Sequence, residues 1–247
     1  MNFLFPKKRE PIPATTMLSI DGAAVEVVVK VSQRARSYRL SVPHTGTPVL
    51  TLPASGRWSE AQGFLERQRG WLAARLKRAA PRTAFSDGES VPVRGVPHLI
   101  HATGRLRGRV EVSEIEGELC LLVPGEAAHI PRRLTEWLKA EAHRDLAARS
   151  DVHAATLGVK VVSVSMRSQA TRWGSCSSSG RLNYNWRLIL APPFVLDYVA
   201  AHEVAHLVHM NHSPSFWKAV ERALPDMNRG KAWLKAHGKV LMGYGEG

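Results

Sequence analysis

The segment from Phe194 to Met210 is strongly apolar, yet it carries His202, Glu203 and His206 as an H-E-x-x-H motif. Val195, Leu196, Val199, Ala200, Val204, Leu207 and Val208 mark it as a buried helix. Burying a carboxyl and two imidazoles in such a helix is costly unless they are paired or bound to something. A metal ion supplies that compensation. Histidines four apart lie on one helix face, about 40° apart around the axis. There a single Zn²⁺ reaches both at about 2.0–2.1 Å. Glu203 sits beside them, placed to take a proton from a water that the metal holds.

A third ligand must come from another direction. His202, His206 and His209 form an i, i+4, i+7 stripe. At about 1.5 Å per residue, His209 lies roughly 10.5 Å along the axis from His202, too far for three rings to converge. Asn211 is the expected helix terminator. Ser213-Pro214 then reads as an N-cap followed by proline in the first turn. His212 therefore falls in the turn between two helices and can swing back over the metal. Glu221 is the next candidate, since carboxylates also complete catalytic zinc sites. His209 is left as a residue near the ligands, in the cleft or merely exposed. The pattern is that of a zinc-dependent hydrolase with one Zn²⁺ per chain.

The chain has 247 residues and 44% hydrophobic composition, enough to bury a core. Its 34 Lys and Arg against 21 Asp and Glu give +13. That field attracts acidic partners, nucleic acid included, without specificity. The basic residues are spread along the chain, and no recognised nucleic-acid motif accompanies them. Two cysteines, Cys120 and Cys176, give no disulfide framework and suit a reducing cytosol. No secretory signal and no membrane-spanning run is expected, so the location read from the sequence is cytoplasmic.

Local patterns give an α+β fold. Residues 1–14 are read as a flexible N-terminus and 243–247 as a flexible tail. Residues 15–125 read as a β-rich region with one helix, which Ser59 caps and which runs to about Ala79. In that region Ala24–Val31, Ser37–Val42 and Val49–Leu52 are strand-like, with a turn at His44-Thr45-Gly46. Further short strands are expected near Val91–Val93, Pro97–Ala102, Arg109–Ser113 and Leu119–Val123. Residues 126–242 carry a helix from about Ile130 to Ala155, a strand at Lys160–Ser165, and a hairpin turning at Ser177–Gly180. In the second hairpin strand Leu182, Tyr184, Trp186 and Leu188 should face the core, and Asn183, Asn185 and Arg187 the other side. The hairpin is expected to border the cleft, where an edge strand holds an extended substrate by main-chain hydrogen bonds. Short helices are expected at Ser213–Leu224, ended by Pro225, and at Arg229–Val240. No internal repeat is visible.

Three runs carry a family likeness: RWGSC at Arg172–Cys176, NWRLILAP at Asn185–Pro192 and HEVAH…MNHSPSFW at His202–Trp217. Together they resemble the YgjP-like metallopeptidase domain, a group related to SprT-like and other small zincins. SQRARSYRLSV at Ser32–Val42, VLTLPA at Val49–Ala54 and RGWLAARL at Arg69–Leu76 match its front half more loosely. The resemblance implies a zincin-like catalytic domain over 126–242. It implies His202, His206 and His212 as ligands and Glu203 as catalytic acid/base. In that family the position of His209 need not be histidine. It also implies that Arg172–Cys176 lies near the cleft.

A zinc metallopeptidase acting on peptide or protein substrates is the leading expectation. Arg172, Trp173, Asn185, Tyr198 and His209 are its candidate cleft residues, and Arg172, Asn185, Tyr198 and His209 the candidate oxyanion partners. A nucleoside-triphosphate pyrophosphatase of the UTP type is the second, because members of the family have been assigned that activity. Against it, the chain has no G-x-x-x-x-G-K-[ST] phosphate loop, and three histidines favour zinc over Mg²⁺. A non-catalytic protein in which zinc stabilises the fold and the basic surface docks on nucleic acid is the third. It would need a fourth ligand, and no obvious His or Cys supplies one. A Cys176–His nucleophile ranks last, because thiols in apolar surroundings are usually inert.

Overall fold

The computed structural model describes residues 10–43, 47–77, 83–169 and 171–245, and the chain divides into two compact units, 1–80 and 81–247. The first is built from β1 (Thr15–Ile20), β2 (Ala23–Ser32), β3 (Arg39–Ser41) and β4 (Val49–Pro53), followed by α1 (Trp58–Arg67) and α2 (Arg69–Lys77). The strands order as β1-β2-β4-β3, with β2 and β4 parallel and the outer pairs antiparallel. The β1–β2 turn places Asp21 and Gly22 at φ 49° and 83°, the left-handed pair that a two-residue hairpin requires. Val27, Val29, Leu50 and Leu52 alternate toward one face and bury against Ala61, Leu65 and Leu72 of the helices. The expected single helix is two, interrupted at Gln68, and it begins at Trp58 after Arg57 without a side-chain cap from Ser59. Its expected end at Ala79 and the 44–46 turn lie outside the described residues.

The second unit opens with β5 (Ser90–Val93), β6 (Val96–Ala102), β7 (Glu111–Ile115) and β8 (Glu118–Val123), and then α3 (Ile130–Leu157). Strand order β5-β6-β8-β7 and strand senses repeat those of the first sheet. So does the tight turn, now Arg94-Gly95 at φ 53° and 79°. In both sheets the parallel partners are 21 residues apart, Val28 with Val49 and Leu99 with Cys120. A shift of 71 residues carries one pair onto the other. The chain therefore contains a repeated four-strand-plus-helix unit, contrary to the reading of no repeat. The duplication lies in pairing and register rather than in residue identity.

The boundary expected near residue 125 is not where the contacts divide the chain. Val91, Val93, Ile100, Leu121 and Val123 share one core with Ile130, Leu134, Leu138, Ala142 and Leu146 of α3. That i, i+4 stripe runs the length of the helix, so sheet and helix bury one another. Gly158 ends α3 in the left-handed conformation at φ 69°.

The remainder carries the histidine motif. β9 (Ser163–Arg167), β10 (Gly174–Cys176) and β11 (Arg181–Asn185) form a sheet ordered β10-β11-β9, which leaves β10 at the edge. The hairpin is present, but its second strand stops at Asn185 and continues as a 3-10 turn over Trp186–Leu190. Asn185 caps that turn by accepting from the Arg187 backbone N–H at 3.1 Å. The alternation predicted through Leu188 is thereby lost, and Asn185 and Arg187 are buried at 1% exposure each rather than facing outward. α4 (Pro193–Ala205) follows, then α5 (Pro214–Ala223) and α6 (Met227–Leu241). The expected flexible tail is docked as far as Gly245. Arg187 Nε donates to the Tyr244 carbonyl at 2.8 Å, and Gly245 N–H donates to the Thr83 carbonyl at 3.1 Å. No helix among the described residues is long and apolar enough to cross a membrane.

Candidate metal centre

α4 is almost wholly buried, and Val195, Leu196, Val199, Ala200, Val204 and Ala205 fix it in the core. It starts at Pro193, where the missing N–H costs nothing. It ends with His206 as C-cap, five residues before the expected terminator Asn211. The turn that follows has a purpose: His206 Nδ1 faces the carbonyl of His209 at 3.1 Å. That contact fixes the Nδ1–H tautomer and leaves Nε2 as the candidate ligand atom. His209 thus enters the site through its backbone, a role that no side-chain pattern announces.

His212 is delivered by the α4–α5 turn. Ser213 caps α5, its hydroxyl accepting from the Phe216 N–H at 3.4 Å, and Pro214 occupies the first turn as predicted. Nε2 of His212 lies 3.1 Å from Nε2 of His202. The candidate ligand atoms of His202, His206 and His212 all lie within 4.8 Å of one another. Three nitrogens on a tetrahedral ion with bonds of about 2.0–2.1 Å sit roughly 3.3 Å apart, so the set needs only small adjustment to close on one. Glu221, the alternative third ligand, is exposed on α5 and outside this group.

The electrostatics suit a cation. Burial, and then the neighbouring His206, His212 and Lys231, push the His202 pKa down to about 3. Burial also lowers that of His206. Both rings are therefore neutral, with lone pairs available. Nδ1 of His202 is buried without a hydrogen-bond partner, which leaves Nε2 as its working atom.

Two aromatic residues that the sequence reading left inside a motif shape the site. Phe216, fully buried, stacks on His206 with centroids 4.5 Å apart and meets His202 and His212 edge-on at 4.9 and 4.8 Å. Trp217 stacks on His212 at 5.9 Å, and Lys231 Nζ lies 4.0 Å above the Trp217 ring. The first turn of α5 thus props all three imidazoles. The available signal was the spacing of Phe216 and Trp217 behind the Ser213 cap.

Glu203 is buried at 5% exposure beside the edge strand. Burial pushes its pKa up to about 8, opposed by the positive charge of Arg172. A carboxyl tuned to that range exchanges a proton near neutral pH. Gly174, the glycine of RWGSC, is what admits it. A Cβ at 174 would stand 2.6 Å from Glu203 Cγ and 2.7 Å from Cδ.

The other cleft candidates scatter. Arg172 is exposed and coupled in charge to Glu203. Trp173 packs toward α6, where a Cβ at Gly238 would meet its ring at 3.2 Å, so its contacts are structural. Asn185 donates through Nδ2 to the Gln169 carbonyl at 2.8 Å and to Met242 sulfur at 3.4 Å, which leaves no donor for a substrate. Tyr198 lies one turn before His202, ring edge against ring at 6.0 Å, wedged beneath Gly230. The Cys176 thiol is pushed up to about 11 by burial and by Glu203, which keeps it protonated.

No curated protein is detectably similar. One solved structure, the metallopeptidase zymogen abylysin of Pyrococcus abyssi, is 21% identical and spans 38% of this chain and 94% of its own, at a TM-score of 0.34. The family match is broad: the YgjP-like metallopeptidase domain matches residues 36–237, which leaves out β1 and β2 but takes in the whole second sheet, the edge strand and the three histidines. The chain belongs to the YgjP-like metallopeptidase domain family.

Proposed function

We propose that the protein is a zinc metallopeptidase in which His202, His206 and His212 hold one Zn²⁺ and Glu203 is the general base and acid. The observation that carries this reading is the convergence of three imidazoles, two of them kept neutral by burial, beside a buried carboxyl whose pKa burial pushes up. Zinc, when bound, supplies a Lewis acid that polarises a carbonyl and acidifies water. The protein does the rest. Glu203 accepts a proton from the attacking water and returns it to the leaving amine. Phe216 and the His209 carbonyl hold the imidazoles in orientation. The open edge of β10 offers backbone groups to an extended peptide beside Glu203, which favours a peptide over a nucleotide. Arg172, exposed and within the field of Glu203, is the best placed cation for the developing oxyanion. The test is Glu203→Gln. It should keep zinc and lose peptide hydrolysis by about 10²-fold or more. Turnover at the wild-type level in a zinc-loaded variant would sink the mechanism.

A further inference from the structure

Away from the histidine site, the repeated sheets carry matching arginine loops. The β2–β3 loop holds Arg34 and Arg36, with Arg39 opening β3. The β6–β7 loop holds Arg105, Arg107 and Arg109. The 71-residue shift that superposes the sheet registers carries Arg34 onto Arg105 and Arg36 onto Arg107. Few other residues of the two loops agree, since Ala35 corresponds to Leu106 and Ser37 to Gly108.

The six side chains are exposed, and among the described residues none of them makes an ion pair or a side-chain hydrogen bond. Elsewhere some arginines are matched, Arg94 to Asp145 and Glu141, Arg132 to Glu136, Arg149 to Asp197, while others, Arg67, Arg181 and Arg222, make no ion pair among the described residues. What distinguishes the loops is that two arginines in each, Arg34 with Arg105 and Arg36 with Arg107, stand at equivalent places in two copies of one unit, while Arg39 and Arg109 add charge without corresponding. Guanidinium forks suit phosphate oxygens, which they bind bidentately. A net charge of +13 supplies the attraction at distance. Alternate arginines along a loop present several cations to a repeating anion, and a phosphodiester chain is such a ligand.

We propose that the β2–β3 and β6–β7 loops are paired phosphate-binding elements whose ligand is the backbone of nucleic acid. Each loop neutralises phosphates without reading bases, so binding is insensitive to sequence and sensitive to salt.

The experiment is fluorescence anisotropy with a labelled 30-nucleotide single strand, as DNA and as RNA, over a salt series. Wild type is compared with Arg34/36/39→Ala, with Arg105/107/109→Ala, and with a control of equal charge loss, Lys160/235/239→Ala. Each arginine triple should weaken binding and reduce the slope of log K against log salt by about 2, while the control changes it much less. Single Arg36→Gln and Arg107→Gln variants, each lowering the slope by about 0.7, serve if a triple variant melts early. The proposal is overturned by no binding to either strand at low salt, by a control that loses as much as the arginine variants, or by polyglutamate competing as well as the nucleic acid.

Discussion

Gly174 and Glu203 occupy space that neither could share with a larger neighbour: a Cβ on the glycine would lie within 2.7 Å of the glutamate's carboxyl carbon. Edge strand β10 and α4 are thereby locked at a spacing set by one hydrogen atom. Gly174→Ala must move either the strand or the carboxylate. A displacement of about 1 Å in a catalytic group costs on the order of 10²-fold in rate. The variant is expected to keep its zinc and lose kcat by that order, measured by metal analysis and peptide hydrolysis on the same sample.

Phe216 is a structural and a positioning residue together. It is fully buried and stacked on His206. Phe216→Ala should cost about 3–5 kcal/mol, a Tm drop on the order of 10 °C in a unit this size. Phe216→Leu should recover most of the stability and less of the zinc affinity, because volume returns without the flat ring. Thermal melts and competitive zinc titration separate the two effects.

Acid stability should depend on Asp197. It accepts from His153 Nε2 at 2.6 Å and from Arg149 Nε at 2.6 Å. Burial raises its pKa, but hydrogen bonds from His153 and Arg149 outweigh burial and hold it below the ordinary value near 3.8. A depressed carboxylate stabilises the fold above its unfolded pKa and loses that contribution as pH falls through the folded value. Melting temperature should therefore decline below about pH 4. Asp197→Asn should melt lower at neutral pH and show a shallower decline over that acid range.

The parts of the site visible in the sequence were those set by local chemistry. The i, i+4 histidines, the Ser213-Pro214 helix start and the edge hairpin all follow from spacing and capping. What stayed hidden was decided by tertiary contacts. Nothing local stops α4 at Ala205, since Leu207 and Val208 continue its apolar pattern. The turn is held by its contacts, including the carbonyl that His209 offers to His206. Arg187 reads as a surface residue until the docked carboxy-terminal segment gives it the Tyr244 carbonyl. The repeat escaped because register, not sequence, is shared. The boundary moved from near 125 to 80 because strand periodicity does not reveal which helix a sheet will pack against.

The central claim is that three histidines hold a catalytic zinc. The most direct measurement is the metal content of the purified, remetallated protein beside His212→Ala, with hydrolysis of an unfolded protein followed on the same samples. The account predicts about one zinc per wild-type chain, and in the variant weakened zinc binding together with lost hydrolysis. A wild-type protein that takes up no zinc, or a variant that binds and cleaves as the wild type does, would contradict it.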